Sequence, residues 1–209
     1  RPAGLCLTRQ NVPTFPRGQD GFAGVDDVSR GAYVLRDAPG AEGAEGAEGA
    51  VGAVGSVGSG GGDPEVVLVG TGSEVQLAVE AQRQLADQGI RARVVSMPCK
   101  EWFDEQDAAY RDAVVPPSVK PRVSVEAAVS QGWREVVGDA GRCVSLEHFG
   151  ASADFATLFR EFGITAEAVV QAAHASIAAA QALGGTGAPV HGEAAGGTGP
   201  GDDPANPRT

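Results

Sequence analysis

The sequence predicts an α/β fold built on a parallel β-sheet, and three neighbouring features predict it. Residues 66–69 are a run of apolar, mostly β-branched side chains, which is typical of a strand buried on both faces. Gly-Thr-Gly at 70–72 makes a tight turn, because glycine reverses the backbone without a steric penalty. A helical pattern then runs to Gly89, and residues 90–97 form a second apolar strand. A right-handed crossover makes the two strands of such a β-α-β unit parallel.

The helix of this unit is predicted to begin at Ser73. Ser73 is placed to act as the N-cap, and Gln76 three residues later completes a capping box. A dinucleotide-binding turn needs G-x-G-x-x-G, but its third glycine is replaced by Val75, and the charge of Glu74 would repel a phosphate. We therefore interpret the turn as structural. The residues predicted to share the buried face of the helix are Val75, Ala78, Val79, Leu85 and Ala86.

The chain before this unit contains a candidate site residue and a candidate edge strand. Residues 4–8 predict a short strand, and Arg9 follows at its carboxyl end. Ligands of open α/β sheets bind outside the carboxyl ends of strands, so Arg9 is a candidate anion-binding residue. On position alone, a solvated or salt-bridged surface arginine is the commoner interpretation. An irregular connection then leads to residues 31–36, which predict an edge strand.

Two segments have low-complexity composition. Glycine recurs at every third position from 41 to 61, but no proline stands between the glycines, so the pattern does not predict collagen. We expect a flexible acidic loop there, because such a segment cannot bury a core. Residues 184–209 are rich in Gly, Ala, Pro, Thr and Asp and predict a disordered tail, which contains His191.

Helices and strands alternate after the β-α-β unit. Residues 98–103 predict the start of a short helix, and residues 106–115 a second helix stopped by Pro116. Residues 122–127 and 141–147 predict two further strands, joined through a short helix that contains Trp133, Val136 and Val137.

The last two predicted helices have recognisable caps. Ser152 is predicted to cap a helix with apolar Phe155, Leu158, Phe159 and Phe162, which ends at Gly163. Thr165 is predicted to cap a helix over residues 166–183. Its apolar stripe consists of Val169, Val170, Ala173, Ile177 and Ala180.

Composition excludes several classes of function. The net charge of −11 argues against a nucleic acid or an anionic membrane as the partner. The apolar runs are too short to span a bilayer. Cys6, Cys99 and Cys143 are odd in number and widely separated, so we interpret them as reduced thiols rather than disulfides or zinc ligands. The chain starts at Arg1 with residues typical of the middle of a domain, and we expect a piece of a longer protein.

Few side chains are candidates for chemistry. Glu126 lies at the carboxyl end of one predicted strand and Glu147-His148 closes another, so these groups are candidates for a crevice at the carboxyl ends of the strands. No Ser/His/Asp or Cys/His set, carboxylate pair or metal motif has a recognisable spacing. His174 is expected on the surface of an alanine-rich helix. The residues alone predict an α/β domain without a complete active site.

Seven segments resemble transketolase in the same order, and they cover nearly everything except the repeat and the tail. They are LTRQNVP (7–13), GAYVLRD (31–37), VGTGSEVQLA (69–78), ARVVSMP (92–98), FDEQDAAYRDAVVP (103–116), VSVEA (123–127) and HFGASA (148–153). The resemblance implies a three-layer α/β/α domain with a five-stranded, mostly parallel sheet and one antiparallel edge strand.

The resemblance also implies a division of the chain. Residues 1–29 resemble the end of the pyrimidine-binding domain and its linker, and residues 30–183 resemble the C-terminal domain. Residues 38–63 are then a low-complexity loop within that domain, and residues 184–209 a disordered tail.

The function implied is that of a cytoplasmic, homodimeric transferase of the pentose phosphate pathway. Transketolase uses thiamine diphosphate and magnesium or calcium to move a two-carbon ketol unit between sugar phosphates. Arg9, in LTRQ, matches an arginine that contacts the sugar phosphate, so the resemblance implies a substrate-binding role for it. The family's catalytic, cofactor-binding and metal-binding residues map to none in this chain. We therefore expect the chain to need the rest of a transketolase and to be inactive alone.

Two alternatives stay open at this point. A 2-oxo acid dehydrogenase component or a deoxyxylulose phosphate synthase shares this C-terminal fold, although LTRQN and FDEQDAAYR favour transketolase. The second alternative is a non-catalytic α/β module that binds a partner chain or a small ligand. The chain departs from the family pattern in its acidic glycine repeat and at Asp154, where a proline is usual after HFGASA. Aspartate is also acceptable in the first turn of a helix, so this departure concerns only the predicted start of the following helix.

Overall fold

The computed structural model describes residues 4–40 and 63–185. The glycine repeat at 41–61, residues 186–209 of the predicted tail and His191 lie outside the described residues, and so do the expectations stated for them. The described strands are β1 (Tyr33–Arg36), β2 (Val66–Gly70), β3 (Ala92–Ser96), β4 (Arg122–Val125) and β5 (Arg142–Val144). The helices are α1 (Val75–Ala86), α2 (Lys100–Asp104), α3 (Ala108–Val114), α4 (Arg134–Val137), α5 (Phe155–Glu161) and α6 (Ala166–Gly185).

The five strands form one mixed sheet in the order β1-β3-β2-β4-β5. β2 pairs in parallel with β3 and with β4, and β4 pairs in parallel with β5. β1 lies at the edge and runs antiparallel to β3, with Tyr33 opposite Ser96. The α/β fold class, the parallel β-α-β unit and the antiparallel edge strand are confirmed.

Alternate side chains of the central strands supply two separate cores. Val66 and Leu68 of β2 pack with residues of α1 and α6 on one face of the sheet. Val67 and Val69 pack with residues of α2, α3 and α4 on the other. Both faces of β2 are therefore buried, which is why its sequence is a continuous apolar run rather than an alternating one. The molecule has three layers, helices on either side of a sheet.

Residues 4–8 are not a strand, and this prediction is wrong. Leu5 is 84% exposed and Leu7 is 79% exposed, and the segment pairs with no strand of the described residues. A strand without a neighbour leaves its backbone N–H and C=O groups unpaired, so an apolar run alone does not create one.

The capping box predicted for α1 is absent, although the helix itself lies where expected. A 3-10 turn, Gly72–Glu74, precedes α1, and its amide-to-carbonyl bond from Glu74 to Thr71 (3.0 Å) replaces the side-chain cap. The Ser73 hydroxyl donates instead to the Glu74 carboxylate at 2.6 Å. Of the predicted apolar face, Ala86 is exposed, whereas Ala81 and Gln82 are buried.

The cap of α5 is Asp154, not Ser152. Asp154 has an extended backbone, and its Oδ1 accepts a hydrogen bond from the Thr157 amide at 3.0 Å. This is the geometry of an N-cap, which aspartate forms as readily as serine. The cap predicted for α6 is confirmed, since the Ala168 amide donates to Thr165 Oγ1 at 3.2 Å.

The Asp154 cap makes stability depend on pH. Hydrogen bonds from the Thr157 amide are the largest cause of the lowered pKa of Asp154. The pKa of Asp154 is lower in the folded state than in the unfolded state. The ionised cap therefore stabilises the fold above the unfolded-state pKa, and this stabilisation is lost as the pH falls through the folded-state pKa. We expect Asp154→Asn to be less thermostable than the parent chain near neutral pH. The gap should close in acid, where both caps are uncharged.

Thermal unfolding at neutral and acidic pH tests this expectation. Asp154→Ala is the control, because it also removes the accepting oxygen and should stay less stable than Asp154→Asn at either pH. A gap between the parent and Asp154→Asn that does not change with pH would contradict the charge argument.

None of the helices in residues 4–40 and 63–185 combines the length and the apolarity that a membrane-spanning helix requires.

Candidate functional site

The carboxyl ends of the parallel strands bring together side chains that are far apart in sequence. Thr71 follows β2 and Glu126 follows β4, and these strands are neighbours. Thr71 Oγ1 donates to Glu126 Oε1 at 3.1 Å, and Trp133 Nε1 donates to Glu126 Oε2 at 2.8 Å. Each oxygen of the half-buried carboxylate thus accepts a hydrogen bond, one from each side. The carboxylate joins the turn after β2 to the segment that precedes α4.

Glu147 has a similar role at the next strand along the same edge. Its Oε1 accepts from the Ser130 amide at 2.9 Å and from the Ser145 hydroxyl at 3.0 Å. These hydrogen bonds, those from Ser130 first, lower the pKa of Glu147. The Leu146 amide also donates to the Ala128 carbonyl at 2.8 Å. The loops that follow β4 and β5 are therefore tied to each other.

His148 lies beside Glu147 in sequence but makes different contacts. Its Nδ1 is 2.7 Å from the Phe149 carbonyl oxygen, and its ring meets Phe162 edge-on with centroids 4.7 Å apart. The structure gives it no hydrogen bond to Glu126 or Glu147. Within the described ranges, no three His, Cys, Asp or Glu side chains lie together as a metal would require. The carboxylates at this edge hold loops in place and have the geometry of structural groups.

The turn after β2 is also structural in its geometry. A Cβ at Gly70 would lie 2.9 Å from the Val75 Cα, so glycine is needed for the strand and helix to pack this closely. Glu74 is 7% exposed and sits at the start of α1. The negative charge of a carboxylate at this position would repel a bound phosphate, which agrees with the interpretation of the turn as structural.

Arg9 is exposed and lies in a segment without regular secondary structure. Among the described residues it makes no hydrogen bond or ion pair, and it does not contact the glutamates at the carboxyl edge. Next to it, the Gln10 amide donates to Thr8 Oγ1 at 3.3 Å, and the side-chain oxygen Oε1 of Gln10 is buried without a partner. The guanidinium of Arg9 is thus available to a ligand or to another polypeptide segment.

The three cysteines and His174 lie in the environments that the sequence predicts. Cys6, Cys99 and Cys143 are all free thiols. His174 is exposed on α6, and its Nε2 lies 2.8 Å from Gln88 Oε1.

The sequence did not predict the contacts of Thr71 and Trp133 with Glu126. The available signal was positional, because Thr71 and Glu126 each directly follow a strand of the same parallel sheet.

Comparison with known proteins identifies the family. Residues 54–165, more than half of the chain, match the family model of the transketolase-like C-terminal domain. The transketolase of Mycobacterium tuberculosis is 52% identical over 176 residues, which are 84% of this chain and 22% of that protein. This chain therefore spans about a fifth of the length of the curated relatives it matches.

Solved structures of transketolases have the same fold. The transketolase of Leishmania mexicana superposes with a TM-score of 0.60 and 39% identity, over 77% of this chain and 20% of that one. The Pichia stipitis transketolase in complex with sedoheptulose 7-phosphate gives a TM-score of 0.61 and 30% identity, over 83% of this chain and 21% of that one. Together with the family match, these similarities show that the chain belongs to the transketolase family and contains its C-terminal domain.

Proposed function

We propose that this chain is the C-terminal part of a transketolase that transfers a two-carbon ketol unit between sugar phosphates. The observation that carries the proposal is the 52% identity to a mycobacterial transketolase across 84% of the chain. The match extends beyond the family domain, which begins at residue 54, and so includes more of the chain than one shared fold unit. This extent favours transketolase over a non-catalytic module.

Exposed apolar side chains near the start of the chain support the proposed division. Leu5 and Leu7 are almost fully exposed, and they belong to residues 1–29, the proposed end of the pyrimidine-binding domain and its linker. Such apolar side chains favour contact with another part of a longer transketolase chain. Residues 30–183 form the C-terminal domain in this proposal. We further infer a homodimeric, cytoplasmic enzyme, and the three free thiols are in keeping with that compartment.

The described residues do not fit a site for thiamine diphosphate and its metal ion. Glu74 occupies the helix start where a diphosphate would have to approach, and no described acidic or imidazole cluster suits a metal. We infer that the rest of the transketolase, outside this chain, holds the cofactor and the magnesium or calcium ion.

Arg9 is the residue of this chain that we assign to the substrate. Its exposed guanidinium has no partner among the described residues, and its planar fork of N–H donors matches the oxygens of a phosphate. In this role Arg9 holds the phosphate end of the sugar, away from the carbonyl that reacts. A contact of this kind stabilises ground and transition states about equally.

Arg9→Ala in the complete enzyme tests the proposal. A charge-assisted hydrogen bond contributes about 1.5–3 kcal/mol, so we expect kcat/KM for phosphorylated substrates to fall about 10- to 100-fold. Most of the loss should appear in KM. Arg9→Lys should recover part of it, since lysine keeps the charge but not the bidentate fork. Steady-state kinetics with phosphorylated and unphosphorylated acceptors is the measurement.

An unphosphorylated acceptor such as glycolaldehyde should react almost as well with Arg9→Ala as with the parent enzyme. Arg160→Ala on α5 is the matched control, because Arg160 is exposed and its partner is the adjacent Glu161. If both classes of acceptor lose the same factor in Arg9→Ala, the residue has a structural role and the substrate assignment fails.

A further inference from the structure

A cavity of about 640 Å³ lies on the sheet face that α2, α3 and α4 cover. Phe103, Val115 and Val136 form its apolar part. The chain has a net charge of −11, but basic side chains outnumber acidic ones in the lining of this cavity, four to three. The basic residues are Lys100, Arg111, Lys120 and Arg122.

Arg122, at the start of β4, is a half-buried cation that donates its hydrogen bonds to neutral acceptors. Its Nε, Nη1 and Nη2 donate to the carbonyl oxygens of Val119, Val136 and Pro116 at 2.9, 2.8 and 2.9 Å. A guanidinium has five N–H groups, so two remain. Burial lowers the pKa of Arg122, and the attraction of Asp112 offsets only part of that effect. No ion pair joins this guanidinium to a carboxylate in the described part of the chain.

Two more cations at the cavity lack a counter-ion. Arg111 and Lys120 are exposed, and neither forms an ion pair with a described residue. The acidic residues Asp104 and Glu135 are already engaged, because Lys100 Nζ lies 2.6 Å from one and 2.9 Å from the other. Asp112 is then the one remaining carboxylate of the lining. Counted over the whole lining, four positive charges face three negative ones, so the cavity has an excess of one positive charge.

We propose that this cavity binds a small phosphomonoester through Arg111, Lys120 and Arg122. A phosphate group carries the negative charge that this positive excess favours, and its oxygens accept from the two remaining N–H groups of Arg122. The volume falls in the usual range for small-molecule sites, about 300–1,000 Å³, and accommodates an organic group beside the phosphate. Phe103, Val115 and Val136, which are 6–8% exposed, provide a small apolar contact surface for that group. This inference does not rest on ketol transfer or on the role of Arg9.

Titration of the isotopically labelled 209-residue chain with glycerol 3-phosphate tests the proposal. Chemical shifts are followed by amide NMR at constant ionic strength, with sodium chloride as the balancing salt. We expect saturable shifts at residues 111–122 and 135–136. In Lys120→Gln and Arg111→Gln the dissociation constant should rise about three- to tenfold each, as expected for one partly solvated charge contact. Arg122 is left unchanged, because its loss would free three backbone carbonyls.

Arg160→Gln is the matched control, since α5 packs on the opposite face of the sheet. It should bind like the parent chain. Inorganic phosphate is the second probe. Weaker binding of inorganic phosphate than of glycerol 3-phosphate supports a site for the ester, whereas equal binding of the two would contradict the proposed contact with the organic group.

Three further outcomes would overturn the proposal. The first is a linear, non-saturating shift that sodium chloride reproduces. In the second, Lys120→Gln and Arg111→Gln bind as tightly as the parent. In the third, succinate binds as tightly as glycerol 3-phosphate, which would show that a phosphate is not what the cavity recognises.

Discussion

Asp37→Ala should lower the free energy of unfolding by about 3–5 kcal/mol, because it leaves a buried charge without its partner. Arg93 on β3 is 7% exposed in its side chain, and Asp37, directly after β1, is 18% exposed. The contact is bidentate, with Arg93 Nε 2.7 Å from Asp37 Oδ1 and Nη2 3.0 Å from Oδ2. Arg93 Nη1 also donates to the Ala113 carbonyl at 2.7 Å. The pair therefore links the edge strand, the sheet and the end of α3.

The loss comes from the arginine that remains, not from the attraction that disappears. A buried ion pair contributes little net stability, because burial removes both charges from water. Once the carboxylate is gone, Arg93 keeps its desolvation cost with only carbonyl oxygens to offset it. Urea unfolding of the parent and of Asp37→Ala measures the difference.

Asp87→Ala is the matched control for Asp37→Ala. Asp87 pairs with Arg83 at 3.4 Å, and both side chains are more than half exposed. An exposed pair contributes about 0–1 kcal/mol, so this variant should be almost as stable as the parent. Equal losses in the two variants would show that Arg93 finds water or another acceptor, and the burial argument would fail.

The parts of the fold that the sequence predicts are those that depend on neighbouring residues. The apolar run at Val66–Gly70, the turn after it and the helix up to Gly89 need only local patterns, and each lies where expected. The prediction for residues 4–8 fails for the complementary reason. Their pattern is apolar, but a strand also needs a neighbouring strand to bond with, and a local pattern cannot supply one.

The starts of α1 and α5 show that the sequence does not identify the capping residue. Ser73 and Ser152 both have a side chain suited to capping, and neither caps its helix. At the first, a 3-10 turn already satisfies the amide groups. At the second, Asp154 offers the same chemistry two residues later, and the backbone there is extended. Sequence identifies residue types that can cap but not which backbone is extended.

The contacts at the candidate sites join residues that the sequence keeps far apart. Thr71 and Glu126 are 55 residues apart, and Asp37 and Arg93 are 56 apart. Only the order of strands brings them together, and that order is a property of the whole sheet. Arg9 stands apart from both, because it was identified through the LTRQ motif and its substrate role stays a prediction.

Gly31→Ala should lower the free energy of unfolding by about 2–5 kcal/mol, from strain and from a steric clash. Gly31 has φ +84°, which L side chains rarely adopt. A Cβ there would also meet the Cys99 carbonyl oxygen and the Phe103 amide nitrogen, and would lie 2.7 Å from Trp102 Cβ. Two of these atoms belong to the backbone of α2 and of the residue before it, so no rotamer change relieves the contact.

Gly89→Ala separates the two causes. Gly89 has a similar φ of +77°, but a Cβ there meets nothing within 4 Å. This variant should therefore show the backbone strain alone, about 1–2 kcal/mol. The excess loss in Gly31→Ala then measures the close approach of the chain before β1 to α2. The Cys99 amide donates to the Gly31 carbonyl at 3.0 Å, so moving the two segments apart would also break that bond. Equal losses in urea unfolding would mean that the segments separate easily, and the close contact would not stabilise the domain.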